Sequence, residues 1–270
     1  MRRIHFIELH EQPWFPRTLR HEITDALQYG SAALKAYAPA LLLLQRALDS
    51  SRQNSVVDVC SGSGGPWLHL AKKLGGDSAG CRICLTDKFP NLAGFENAKA
   101  ASANRIDFYR SPVDATKVPA ELPGFRTMFS SFHHFAPHEA RAILQDAVNA
   151  GQGIGVFEIT SRRASSVALM FLWFLTPFIF TPVMRPFRWS RLFCTYVLPI
   201  IPLVLLFDGL VSCLRTYRIA ELRELIDGLV GAKYSWEVGE RPSAFCGPSV
   251  TYLVGYPDTT AAARRTETRG

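Results

Sequence analysis

An α/β fold built on a mostly parallel sheet of about seven strands, with a helical N-terminal arm and an apolar helical insertion, is predicted by three features of the sequence. Short β-branched runs alternate with helical stretches between residues 54 and 160, the pattern of strands joined by right-handed crossover helices. A glycine-rich turn follows the first of these runs directly. After the fifth run a long apolar block interrupts the alternation, and ordinary soluble composition resumes behind it.

In chain order, residues 1–50 read as a mainly helical arm. Its aromatic, proline-rich lead-in, His10-Glu11-Gln12-Pro13-Trp14-Phe15-Pro16, precedes a helix from about Thr18. This lead-in reads either as an ordinary packing arm or as a segment that closes over a ligand. Strands are predicted at 55–59, 82–86, 105–109, 127–131 and 153–159, and helices between them at 65–74, 91–101 and 137–150. The last helix is amphipathic through Ala140, Ile143, Leu144, Ala147 and Val148. A helix at 220–230 and strands at 233–238 and 249–256 complete the pattern. The expected units are an arm (1–50), a core (51–163), an apolar insertion (164–214), a completion of the core (215–257) and a polar, disordered tail (258–270).

With 270 residues, 48% of them hydrophobic and 20% charged, the chain is neither a disordered nor a fibrous protein. Its net charge of +7 suits anionic lipid, nucleic acid or an acidic small molecule as a partner, although no basic motif with interleaved aromatics marks a nucleic-acid site. Six cysteines are too few for a disulfide scaffold, and no export segment precedes the arm, so free thiols in the cytoplasm are expected. Cys81-Arg82-Ile83-Cys84 has C-x-x-C spacing, but a second ligand pair is missing and Cys84 falls inside a strand, which argues against zinc or redox chemistry. Arg264, Arg265 and Arg269 read as a solvated tail.

The strongest local signal is Asp58-Val59-Cys60-Ser61-Gly62-Ser63-Gly64-Gly65, a strand running into small residues and then a helix. Small residues let a ligand approach the backbone, and a helix start offers unpaired amides. The plain alternative is a tight strand-to-helix connection. Asp87 ends the second strand, where a nucleotide-binding sheet presents a carboxylate to ribose hydroxyls, and Asp114 follows the third. Either acid alone reads equally as a loop residue or a cap. The glycines lack the G-x-G-x-x-G spacing of a nicotinamide site.

Taken together, the stretch from 56 to 159 resembles the class I S-adenosylmethionine-dependent methyltransferases, whose sheet is Rossmann-like; about two-fifths of the chain is covered. Asp58 to Gly65 matches the first motif, Asp87 the ribose-binding acid and Asp114 the adenine-side acid. Phe129-Ser130-Ser131-Phe132-His133-His134-Phe135 is similar to a fourth-strand segment followed by paired histidines. The resemblance implies S-adenosyl-L-methionine as cofactor, held by Asp58, Cys60, Ser61, Gly62 and Gly64, by Asp87 with Lys88, by Asp114 with Ala115, and by Ser130. Cys60 departs from the commonest motif, which has glycine there, so a different backbone shape is expected in the first turn. The reaction so implied needs an acceptor held in line with a methyl group and, for some acceptors, removal of a proton; it implies no metal. His133 and His134 are the candidates for that removal, with packing and capping as their other reading. Glu158 also lies near the rim, or pairs with Arg162 or Arg163.

The apolar block is uncharged over 164–184 and again over 192–207, long enough for membrane-spanning helices. A spanning hairpin would carry Arg185, Arg188 and Arg191 to the far side against the positive-inside tendency, and Pro177, Pro182, Pro186, Pro199 and Pro202 would break it. Kinked helices lying in the membrane surface or re-entering it, with Trp173, Trp189 and the arginines near headgroups, fit better. An apolar lid over the site is compatible with this. The reading is therefore methyl transfer to a hydrophobic acceptor (lipid, quinone or lipophilic metabolite) at the cytosolic face of a membrane, with no nucleic acid involved. Its rivals are a soluble small-molecule methyltransferase whose block is a dimer or cap surface, and a non-catalytic membrane-associated scaffold.

Overall fold

A computed structural model describes residues 2–74, 80–231, 233–242 and 248–258; the expected tail beyond 258, with Arg264, Arg265 and Arg269, lies outside the described residues. The β-branched runs pair into one sheet with seven strands among those residues: β1 (Ser55–Asp58), β2 (Arg82–Leu85), β3 (Ile106–Phe108), β4 (Phe125–Phe129), β5 (Ile154–Glu158), β6 (Tyr234–Arg241) and β7 (Val250–Pro257). Their order is β3-β2-β1-β4-β5-β7-β6. The first five are parallel, and β7 runs antiparallel to both β5 and β6. The chain reverses its direction of travel across the sheet between β1 and β4, which opens a crevice at the carboxyl ends of those strands. This is the expected Rossmann-like α/β fold.

Helices α1 (Arg17–Ala33) and α2 (Leu41–Ser51) form the arm, and α3 (Trp67–Leu70), α4 (Leu92–Ala101) and α5 (Pro137–Asn149) make the crossovers. The third helix starts later than the predicted 65–74, at Trp67, because Gly64 and Gly65 take positive φ, and it ends sooner, giving way to turns over 71–73. Strand alternation divides the core between the two sheet faces. Val56, Phe125, Phe157 and Val254 join Leu44, Trp67 and Phe95 on one side. Val57, Met128, Val156 and Leu253 join Leu144 and Leu222 on the other.

The apolar block gives α6 (Ala164–Trp173), α7 (Thr176–Phe180), α8 (Trp189–Leu192), a π-turn over Phe193–Val197 and α9 (Ile200–Arg215), after which α10 (Ile219–Ile226) leads to β6. Among the described residues no single helix is long and apolar enough to cross a membrane; the Trp189–Val197 and Ile200–Arg215 pair passes that test only together, across a 72° bend. The inner face of α9 carries Ile201, Val204 and Leu205, which form a third cluster with Phe15 and Ile23 of the arm. Leu203 and Phe207 of the same helix stay exposed.

Two expectations about this block are corrected. Arg191 does not face outward: it is 1% exposed, with Nε 2.6 Å from Glu22 Oε2 and an Nη 3.0 Å from Asp25 Oδ2, and Arg188 reaches Glu22 beside it. Two acids one helical turn apart on α1 supply the charge that draws both arginines inward. Trp173 is likewise half-buried and lines an internal cavity, whereas Trp189 is 78% exposed.

Candidate active site

The crevice at the strand ends opens into a cavity of about 670 Å³. One wall is the glycine turn. Gly62, Gly64 and Gly65 take φ of +59°, +109° and +46°, and Cys60 itself takes +59°, adopting the left-handed shape that glycine would supply. The turn is closed by Ser61, whose amide donates to the Thr86 carbonyl at 2.9 Å and whose hydroxyl donates to the Asp58 carbonyl at 2.8 Å. Asp58 sits behind this wall: it is 1% exposed, accepts a 2.6 Å bond from Thr127 Oγ1, and burial raises its carboxyl to about 6. Gly64 also lies behind it, where a Cβ would come within 3.0 Å of Gln28 Nε2.

Asp87 stands at the end of β2 with Oδ2 accepting from the Gly62 amide (2.8 Å) and Oδ1 from the Phe89 amide (2.7 Å), so the carboxylate braces the turn and keeps a lone pair on each oxygen. Burial raises its carboxyl above the ordinary range. Asp114 accepts from the Thr116 amide (2.9 Å) and hydroxyl (2.7 Å) through Oδ1 and is otherwise exposed. Ser130, at φ +43°, takes the Ile159 amide on its hydroxyl at 3.2 Å. Of the sequence-predicted residues, the structure brings Cys60, Ser61, Gly62, Asp87, Lys88, Asp114, Ala115, Ser130, His133 and His134 onto this one cavity, and leaves Asp58 and Gly64 off its surface.

The opposite wall is made by the arm and the apolar block. Glu8, His10 and Glu11 come from the arm, Met170 and Trp173 from α6, and Leu205 and Asp208 from α9. The histidine pair lies where these segments meet. His133 is buried, with Nδ1 2.6 Å from Glu158 Oε2 and Nε2 3.3 Å from Glu8 Oε1. His134, with its side chain 19% exposed, has Nδ1 2.6 Å from Glu11 Oε1 and Nε2 3.2 Å from Glu8 Oε2. Arg215 bonds Glu11 at 2.8 Å and donates to the carbonyls of His133 and His134. Glu158 therefore pairs with His133 and caps the Phe132 amide at 2.8 Å, while Arg162 pairs with Glu221 and Arg163 with Glu240.

Burial works against the charged imidazole in both histidines, but Glu11 and Glu8 outweigh it at His134 and raise that group well above its usual value; Glu158 and Glu8 raise His133. Burial pushes the carboxyls the other way, and His134 outweighs it: Glu8 is held well below the usual range and Glu11 at about 2. In this state the cluster is a ring of alternating charge. Sequence reasoning found the histidines and missed their partners Glu8 and Glu11. The signal was the density of titratable side chains in the arm, His5, Glu8, His10 and Glu11, within seven residues.

No family model and no curated protein matches the chain. Solved structures do. A candidate O-methyltransferase from Nostoc punctiforme superposes at a TM-score of 0.50 and 14% identity, covering 86% of this chain and 59% of that one. A candidate Zn-dependent alcohol dehydrogenase from Rhodobacter sphaeroides superposes at 0.52 and 14% identity, covering 88% and 98%. The fold is thus shared with proteins of both descriptions, and this chain spans about three-fifths of the length of the first.

Proposed function

We propose that the chain is a methyltransferase that uses S-adenosyl-L-methionine and acts on a hydrophobic acceptor, working at a membrane surface. The observation that carries this reading is the two-sided cavity. Its strand-end wall presents a bent glycine turn and two rim carboxylates, Asp87 and Asp114, while the facing wall is Met170, Trp173 and Leu205 of the apolar block. A volume of about 670 Å³ suits a nucleoside-sized cofactor together with an acceptor. The likeness to the Nostoc protein agrees with it.

The residues present fit the cofactor. Gly62 and Gly65 line the cavity, and a Cβ at Gly65 would meet no atom within 4 Å, so the backbone there faces open space. Asp87 would accept the ribose hydroxyls on its remaining lone pairs, and Asp114, through Oδ2, the adenine amine; Cys60, Ser61, Lys88, Ala115 and Ser130 shape the surface around them. Bound there, the cofactor supplies a sulfonium methyl as the electrophile. The apolar wall orients an acceptor and excludes water from the transfer. His134, the more exposed of the pair, would receive the acceptor's proton from its neutral form, after the Nε2 proton held against Glu8 has left, and His133, fixed by Glu158, holds it in register through Glu8.

The membrane part of the reading is supported by the outer surface of the block. Large apolar side chains such as Phe171, Leu172, Ile179, Val183, Trp189 and Val197 are each more than half exposed there. Met170 and Trp173 of the cavity wall share α6 with the exposed Phe171 and Leu172, which gives a lipophilic acceptor a short route inward.

Titration calorimetry of the detergent-purified chain with S-adenosylmethionine and S-adenosylhomocysteine tests the cofactor. Saturable binding is expected, weakened by about 1–3 kcal/mol in Asp87→Ala through loss of a charged acceptor. Absence of binding by folded protein would reject the activity and favour the non-catalytic scaffold.

A further inference from the structure

We infer that Glu8, His10 and His134 form a binding site for a divalent transition-metal ion, of the kind Zn²⁺ exemplifies, with one coordination position open to the cavity. One potential ligand atom from each residue lies within 4.8 Å of the other two. Of these atoms, Glu8 Oε2 and His134 Nε2 are 3.2 Å apart. Ligands at the usual ~2.0–2.1 Å around a tetrahedral zinc sit about 3.3 Å from one another, so this pair already matches and His10 would draw in on binding.

The orientation of the imidazoles supports the assignment more strongly than the spacing. His10 Nδ1 lies 2.7 Å from Asp208 Oδ2, and His134 Nδ1 lies 2.6 Å from Glu11 Oε1. A metal-binding histidine characteristically donates its other ring N–H to a carboxylate, which fixes the tautomer and aims the free nitrogen. Both histidines have that partner; Nε2 is left over in His10, and in His134 it faces Glu8 Oε2, the third ligand of the site. Glu8 is anchored in a similar way: Oε1 takes the Ser212 hydroxyl at 3.0 Å, while Oε2, on a side chain 1% exposed, makes no hydrogen bond.

Charge agrees as well. With neutral imidazoles, the carboxylates Glu8, Glu11, Glu158 and Asp208 are met by the Arg215 guanidinium, which reaches Glu8 and Glu11, so the cluster keeps an excess of negative charge for a dication to offset. Two imidazoles and one carboxylate with a free fourth position is the ligand set of zinc sites that bind substrate or water. All three residues line the cavity, so that position faces the space assigned to the acceptor. The occupant of His134 Nε2 then sets its role: a proton makes it the partner of Glu8, a metal makes it a ligand. None of this depends on the cofactor reading.

The test is stoichiometry and affinity of Zn²⁺ for the full chain, stripped with a chelator and titrated against a zinc-sensitive chromophore, with circular dichroism on every variant. One ion per chain is expected. His10→Ala should abolish binding, Asp208→Asn should weaken it by about 10–100-fold through loss of the orienting carboxylate, and the Cys81→Ser/Cys84→Ser pair should leave it unchanged. Co²⁺ in its place should give tetrahedral d–d bands without a thiolate charge-transfer band. Failure of the folded wild type to bind, retention of full affinity by His10→Ala, or a thiolate band that disappears with the cysteines would each overturn the site. Binding of S-adenosylmethionine, measured separately on the same metal-free sample, reports on the other reading alone.

Discussion

The two walls of the cavity are held by different forces. The strand-end wall is mostly backbone: amides of the glycine turn donate to Asp87 and Thr86 and the Ser61 hydroxyl to the Asp58 carbonyl at the ends of parallel strands, and its shape follows from φ angles. The facing wall is side chains brought together from the arm, the loop after β4 and the apolar block, and ion pairs carry much of its cohesion. Arg191 ties the block to Glu22 and Asp25; Asp25 Oδ1 in turn accepts from Ser63 Oγ (2.7 Å) and Asn91 Nδ2 (3.0 Å) of the opposite wall. The second wall should therefore fail abruptly when one charge is removed, and the first should yield in small steps.

The largest expected effect tests that difference. Arg191→Ala leaves buried Glu22 and its neighbour Asp25 with Arg188 alone, 3.3 and 3.7 Å away and itself partly exposed, so the loss approaches but stays below the about 3–5 kcal/mol of a buried charge stripped of every partner. Denaturant unfolding should show a midpoint lowered accordingly. If Arg191→Ala were as stable as wild type, the ion pair would be contributing nothing and the contrast between the walls would disappear. Arg191→Met with Glu22→Leu, which removes the closest pair together and leaves Asp25 to Arg188, Ser63 and Asn91, should recover part of the loss.

The outer surface of the block separates lipid contact from folding. Phe171, Ile179 and Trp189 project into solvent, so their joint replacement by Ser should leave the unfolding midpoint nearly unchanged. Binding to phospholipid vesicles should fall by more than a hundredfold, since each large apolar side chain transferred from water contributes about 1.5–3 kcal/mol when fully buried. Equal sedimentation of variant and wild type with vesicles would remove the membrane role. A monomeric variant from a dimeric wild type would instead make this face a contact between copies.

How much of each wall was legible follows from the same contrast. The strand-end wall is written in contiguous stretches: β-branched runs placed β1 to β5 within a few residues, and the turn, Asp87 and Asp114 each follow a strand. The predicted helix at 65–74 starts late for a local reason, the positive φ of Gly64 and Gly65, and the turns over 71–73 that shorten its other end have no such signal. Glu8 and Glu11 were not legible as partners of His133 and His134, because more than a hundred residues separate them and no spacing rule links such positions. Arg191 was read as a surface charge because its partners, Glu22 and Asp25, lie far away on α1. An arginine inside an apolar stretch is legible as a charge and not as a destination.

Asp58 offers a pH-dependent probe of the strand-end wall. Its folded carboxyl titrates near 6, above the unfolded value near 4, so the native state holds this proton more tightly. Its contribution to stability is therefore present in full at low pH and declines as pH rises from about 4 to about 6. Glu8 and Glu11, both lowered, contribute with the opposite slope, so the informative quantity is the difference between wild type and Asp58→Asn. That difference should move by about 2–3 kcal/mol in favour of the variant across this window and stay flat above it. A constant offset from pH 4 to 7 would place the proton elsewhere.

The smallest expected effect is at Cys60, and it isolates backbone shape from every other contribution. At φ +59° any residue with a Cβ is strained by about 1–2 kcal/mol, and glycine is not. Cys60→Gly relieves this strain but frees the unfolded chain and removes a thiol that packs at the edge of the core, so its net gain is about 1 kcal/mol or less. Cys60→Ala loses the same thiol while retaining the strain. The glycine variant should therefore exceed the alanine variant in stability by about 1 kcal/mol. If alanine proved equal or better, the turn would owe its shape to side-chain contacts, and the two walls would be built on the same principle.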